Sequence, residues 1–242
     1  EIAFPGIREL GWHHATLTAA AAPVAAGRML GLDAGRIQHA IGISATRHCT
    51  TGSVTAGRLT MMKNTVDPMA AQSGVLAALL AQRGYTGPEH VLDGKEGFGQ
   101  ILRTEWRWDL LTDGLGASWR ILSCGMKAFP TEALTHAPIS ALLDLVVSHD
   151  LAPDPVESVT VYSLAGAADL LAERSQYDPR SKETADHSLP YVIAAAIVHR
   201  QVTPRQFEMD AIMDDRLRAQ LPKVEVVADP AIEAVFPKLQ RV

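Results

Sequence analysis

The sequence predicts a mainly α protein, an all-helical part followed by an α+β part, and three observations carry the prediction. The first half is a succession of Ala- and Leu-rich helical stretches separated by caps. The second half alternates short Val-, Ile- and Ser-rich runs with helical ones. The style changes near "LLTDGLGASW", which assigns residues 1–112 to the helical part and 113–242 to the α+β part. At 242 residues, 47% of them hydrophobic and 20% charged, the chain can bury a sizeable core in one large domain or two smaller ones.

In chain order, "ATLTAAAAPVAAGRML" has the propensity of an Ala-rich helix, and "GLDAGR" supplies a stop at Gly31 and a cap at Asp33 for "AGRIQHAIGISAT". From Leu59 to Arg83 another long helix is expected, with Pro68 marking a kink or a junction, and Gly84 ending it. In the second half, "SWRILSCGM", "VESVTVYSL" and "KVEVVAD" read as strands bounded by Gly, Pro and Asp. They alternate with the helical stretches "TEALTHAPISALLDLVVSH" and "SLPYVIAAAIVHR", so helices should cover one face of a small sheet.

Composition excludes several classes of function. A net charge of -5 with 22 scattered Lys and Arg leaves no basic footprint for nucleic acid. Cys49 and Cys124 suggest neither a disulfide scaffold nor a structural zinc site, so a reducing compartment is expected: the cytoplasm, or the mitochondrial matrix in a eukaryote. The longest apolar stretch, "LTAAAAPVAAGRMLGL", contains Pro23 and Arg28 and falls short of the ~20 apolar residues of a membrane span. No membrane association is expected. The chain starts at Glu1 without a leader pattern and reads as cut from something longer.

No phosphate-binding glycine loop, HExxH or metal-spaced Cys/His cluster occurs, so neither cofactor nor metal is expected. What remains is polar residues where packed helices rarely place them: the paired histidines of "GWHHAT", Lys63 among methionines, Lys127, Glu132 and His136 in "GMKAFPTEALTH", and Asp186, His187, Ser188 and Tyr191 in "ADHSLPY". Each also has a structural reading. His13 or His14 fits a helix start, Lys63 a solvated face, Lys127 a strand edge, and Glu132 a helix first turn; Asp186 or Ser188 makes a good N-cap.

Together, "GWHHATLTAAAAPVAAGRMLGLD", "GRLTMMKNTVDPMAAQSGVLAALLAQRGYTGPEHVLDGKEGF", "MKAFPTEALTHAPISAL" and "YDPRSKETADHSLPYVIAAAI" resemble, in this order, the MmgE/PrpD family, best known for 2-methylcitrate dehydratases. The resemblance implies a helical domain and an α+β lid with the active site in the cleft between them, a homodimer, and metal-free dehydration of 2-methylcitrate or a close tricarboxylate. Relatives include cis-aconitate decarboxylases and an iminodisuccinate epimerase, and a non-catalytic truncated scaffold is a further alternative. The resemblance also implies helical chain before Glu1, supplying an Asp and a His to the site, and more chain after "FPKLQRV". Matched residue by residue, His14, His187, Lys127 and Tyr191 become catalytic candidates, and Lys63, Glu132, His136 and Ser188 substrate-binding ones. Glu132 stands where decarboxylases carry a histidine, which tilts the reading toward dehydration. A carboxylate there would repel the substrate unless protonated or paired, for example with Lys127.

Overall fold

The structure, a computed structural model, describes residues 3–4, 6–236 and 238–242. It divides into two units, Glu1–Ser123 and Cys124–Val242.

Small side chains set the packing of the first unit. Helices α1 (Ala15–Met29), α2 (Ala34–Arg47) and α3 (Met62–Gln82) all contact one another. Ala15 and Ala19 of α1 meet Val66 and Ala70 of α3, and Ala40 and Ile43 of α2 meet Ala77, Ala78 and Ala81 further along it. Where α1 and α3 come closest, a Cβ on Gly74 would lie 2.6 Å from the Ala22 Cβ and 2.8 Å from the Pro23 Cδ. The helix ends follow the local signals. Gly31 takes φ +69° after α1, Asp33 accepts the Arg36 N–H at 2.9 Å to cap α2, and Gly84 takes φ +87° after α3. Helix α3 runs through Pro68, so that proline is not a junction between helices. A four-residue helix, α4 (Phe98–Ile101), follows, and two-residue strands β1 (Ala3–Phe4) and β2 (Glu105–Trp106) pair antiparallel, a small sheet that the sequence did not suggest.

In the second unit a 3-10 turn, Ala133–Thr135, leads into α5 (His136–Ser148); β3 (Val159–Ser163), α6 (Ala165–Leu171), α7 (Lys182–Ala185) and α8 (Leu189–His199) follow. The short helices α9 (Met209–Ile212) and α10 (Asp215–Arg218), strand β4 (Val224–Ala228) and α11 (Pro230–Glu233) complete it. All residues from Leu189 to Ile197 are buried, so α8 is apolar on every side and forms the centre of the core. Helix α5 and strand β4 pack against it. Strands β3 and β4 are parallel, Val159 opposite Val224 and Ser163 opposite Ala228, which requires a long crossover; the intervening helices provide it. Helix α8 ends on Arg200, a non-glycine at φ 55°, whose guanidinium reaches back to Asp150 and to the Val146 carbonyl at the end of α5.

The fold is mainly α with a small α+β part, as expected. One expected strand is absent. "SWRILSCGM" contains only a 3-10 turn at Arg120–Ser123, and Trp119, Ile121, Leu122 and Met126 are all exposed. β-propensity reflects packing on a half-buried pleated surface, and among the described residues this run joins no such surface. Among the described residues no helix is long and apolar enough to cross a membrane.

Candidate active site

The first unit places two histidines at the mouth of α1. His13 is buried, and its Nδ1 accepts the Ala15 N–H at 3.2 Å, one of the amides a helix leaves unpaired in its first turn. In the neutral ring that bond puts the proton on Nε2. Burial, then the nearby His14, and beyond it Arg8 and Lys63, hold His13 below the usual histidine range against the pull of Asp67, so it is neutral at pH 7. His14 lies against it with ring centroids 3.9 Å apart and planes tilted by 35°, is exposed, and bonds Asp67 Oδ2 through Nε2 at 2.8 Å. Thr18 Oγ1 donates to the other oxygen of Asp67 at 3.0 Å. Lys63 stands one helical turn before Asp67 on α3.

Ligand atoms of His13, His14 and Asp67 all lie within 4.8 Å of one another, close enough to suggest a cation site. The donor chemistry opposes it. The Nδ1 lone pair of His13 is taken by the Ala15 amide and its Nε2 carries the proton, so a metal would have to break that bond, beside the positive charge of Lys63.

The second unit gathers the remaining candidates. His187 Nδ1 lies 2.5 Å from Asp186 Oδ1, and Lys182 Nζ donates to Asp186 Oδ2 at 2.9 Å. Burial pushes the Asp186 carboxyl up, but the bonds from His187 and Lys182 outweigh it and hold the group below the ordinary carboxylate range. Asp186 stays ionised. The Glu132 N–H donates to the Asp186 carbonyl at 3.0 Å, which ties the Lys127–Glu132 segment to this pair. Lys127 Nζ donates to the Thr131 carbonyl at 2.6 Å. Glu132 accepts the Leu134 N–H at 2.6 Å through its carboxylate, capping the 3-10 turn. The partner expected for it, Lys127, is directed instead to the Thr131 carbonyl. His136 has its Nε2 buried with no hydrogen-bond partner among the described residues, and its ring stands edge-on to Phe129 at 5.4 Å. Burial, followed by the Lys127 charge, lowers its basicity.

Two expectations need correcting on this geometry. Tyr191 is fully buried and its hydroxyl donates to the Gln206 carbonyl at 2.5 Å; burial pushes the phenol far above its usual range, so the hydroxyl is committed to the core rather than offered to a ligand. Ser188 is equally buried, accepts the Tyr191 N–H at 3.0 Å and donates to the Gln176 carbonyl at 2.5 Å, so it is the N-cap of α8 and not a substrate contact. The expectation of a cap at Asp186 or Ser188 is met by Ser188, and the Asp186 carboxylate serves His187 and Lys182 instead. The structure thus places His14 with Lys63 in one unit, and Lys127, Glu132, His136 and His187 in the other. Sequence reasoning missed Asp67, whose signal was its position four residues after Lys63, and preferred His14 to the buried His13.

Residues 2–111 match the profile of the MmgE/PrpD N-terminal domain and residues 129–242 that of the MmgE/PrpD C-terminal domain. Among characterised proteins, the chain is similar to "cis-aconitate decarboxylase" of Aspergillus terreus (26% identical over 213 residues, 81% of this chain and 42% of that protein). It is also similar to "cis-aconitate decarboxylase" of Homo sapiens (28% over 212 residues, 85% and 42%) and to "cis-aconitate decarboxylase-like protein oryM" of Aspergillus oryzae (25% over 230 residues, 90% and 47%). The chain spans less than half the length of these relatives. With both domain profiles matched in order along almost its whole length, the chain belongs to the MmgE/PrpD family.

Proposed function

We propose that the protein is a lyase that dehydrates 2-methylcitrate, or a closely related tricarboxylate such as citrate, by acid–base chemistry of its own side chains. The observation that carries this reading is the Asp186–His187 pair. An ionised, buried carboxylate that accepts a hydrogen bond from Nδ1–H fixes the imidazole tautomer and leaves the Nε2 lone pair available to a substrate. Nε2 removes the proton α to a carboxylate, the electron pair forms the new C=C bond, and the β-hydroxyl leaves as water with a proton from a general acid. His14, exposed and paired with Asp67, suits the acid role. Lys127 and Lys63 supply cations for substrate carboxylates and for the enolate-like charge that develops as the proton leaves. A homodimer is proposed as the working assembly.

The names of the relatives favour a second reading, decarboxylation of cis-aconitate. There the same cations would hold carboxylates while carbon dioxide leaves and the acid protonates carbon. Incubating the purified protein separately with 2-methylcitrate, citrate and cis-aconitate distinguishes them. Growth of ultraviolet absorbance from an unsaturated product of 2-methylcitrate or citrate is the expected result; itaconate and carbon dioxide from cis-aconitate would replace it by the second reading. No turnover of any of the three would sink both.

A further inference from the structure

Thr131 and Thr135 belong to the same segment as Lys127, and both are buried, at 3% and 0% exposure. Their hydroxyls are 2.8 Å apart, and Thr135 Oγ1 donates to the Glu132 carbonyl at 2.7 Å. A hydroxyl has one proton to give, so Thr131 must be the donor in the contact between the two. The chain of bonds therefore has a direction: Thr131 hydroxyl to Thr135 hydroxyl to Glu132 carbonyl. The residue that starts this chain also provides, through its backbone carbonyl, the anchor for Lys127 Nζ. The residue at its far end donates its N–H to the Asp186 carbonyl. A run of bonds, buried where the two hydroxyls meet, thus links the segment that anchors the ammonium to the segment of the acid–base pair, while Lys127 itself is exposed.

We propose that Thr131 and Thr135 are positioning residues for Lys127: their directed hydroxyl chain fixes the turn whose carbonyl holds the lysine, and so sets the placement of its charge relative to His187. The catalytic half of this inference rests on the lyase reading above; the placement of Lys127 does not. Neither threonine touches a substrate. Val at position 135 keeps the branched shape and removes both bonds, whereas Ser keeps the hydroxyl and loses only a methyl group.

Two measurements test it. The first labels the protein with an amine-reactive acetylating reagent and follows Lys127 by peptide mass spectrometry, with Lys95 as internal reference. Thr135→Val should speed Lys127 labelling about fivefold, as loss of the one bond from its Nζ to the Thr131 carbonyl would, and Thr135→Ser should leave it near the parent rate. The second measures kcat/KM on whichever polycarboxylate is turned over. Thr135→Val should lower it about tenfold in the parent, as a displaced charge does, and by nothing further in a Lys127→Ala background. Should Thr135→Val fail to fold, Thr131→Val removes the first donor of the chain and is held to the same expectations. Parent-like labelling in a folded valine variant, or an equal loss of kcat/KM with and without Lys127, overturns the proposal. If no polycarboxylate is turned over, the lyase reading has failed and the labelling result alone decides the placement.

Discussion

Asp186 shows how much one side chain's surroundings decide. In sequence it is an acid beside a serine before an apolar helix, and either residue can cap. In the fold, Ser188 is in the extended conformation that precedes α8 and receives the Tyr191 amide, which leaves the Asp186 carboxylate for His187 and Lys182. That division depends on backbone angles, which the bare order of residues does not reveal. His187 without an ionised partner would have no fixed tautomer, since either ring nitrogen could carry the proton. Asp186→Asn tests the point with little change in size. The amide can present its N–H to Nδ1 and favour the opposite tautomer, so kcat should fall by about 10²-fold or more with KM changed far less. A kcat within a factor of about two of the parent would demote the pair to a structural contact.

At the scale of elements, the readable part of the sequence is the part governed by local chemistry. Asp33 caps α2, Gly31 and Gly84 take the left-handed backbone their places demand, and the apolar run after Ser188 is a buried helix, all from interactions within a few residues. The strand expected at "SWRILSCGM" needed a distant partner and found none among the described residues, whereas Val159–Ser163 and Val224–Ala228 found each other across sixty intervening residues. Of the candidate site, Lys63, Lys127 and His187 could be named from residue type and family pattern; Asp67, the His13 tautomer and the threonine chain could not, because each depends on which atom faces which. Glycine makes a sharp test of helix packing. A methyl group at Gly74 would fall 2.8 Å from both the Pro23 nitrogen and its Cδ, backbone and ring atoms that cannot rotate away. Gly74→Ala would gain up to about 1 kcal/mol from helix propensity if exposed, but overpacking of about 1–3 kcal/mol should dominate and force α1 and α3 apart. Chemical denaturation should show a net loss of stability; a gain would mean that the two helices do not hold this approach.

Over the whole molecule, burial lowers the basicity of an imidazole in each unit: His13 beside His14, Arg8, Lys63 and Asp67 in the first, and His136 beside Lys127 and Glu132 in the second. Their folded basicity is lowered, while in the unfolded chain both titrate near about 6.5. Below that pH the unfolded chain binds more protons than the folded one, so stability is fully present above about pH 6.5 and is lost as pH falls toward the lower folded values. Asp186 acts in a separate window. Its folded carboxyl is lowered too, so its contribution is complete above the unfolded value of about 3.9 and disappears only in stronger acid. The acid limb of stability should therefore have two stages, an imidazole stage starting near about pH 6.5 and a carboxylate stage below about pH 4. Hydrogen exchange, followed separately for peptides of each unit between neutral and mildly acidic pH, resolves the first stage. His13→Gln should flatten the pH dependence of α1 and α3 and leave that of α5 and α8 unchanged; His136→Gln should do the reverse. If protection in the parent protein does not change across this range, the two rings titrate alike in the folded and unfolded chains, and burial does not lower their basicity.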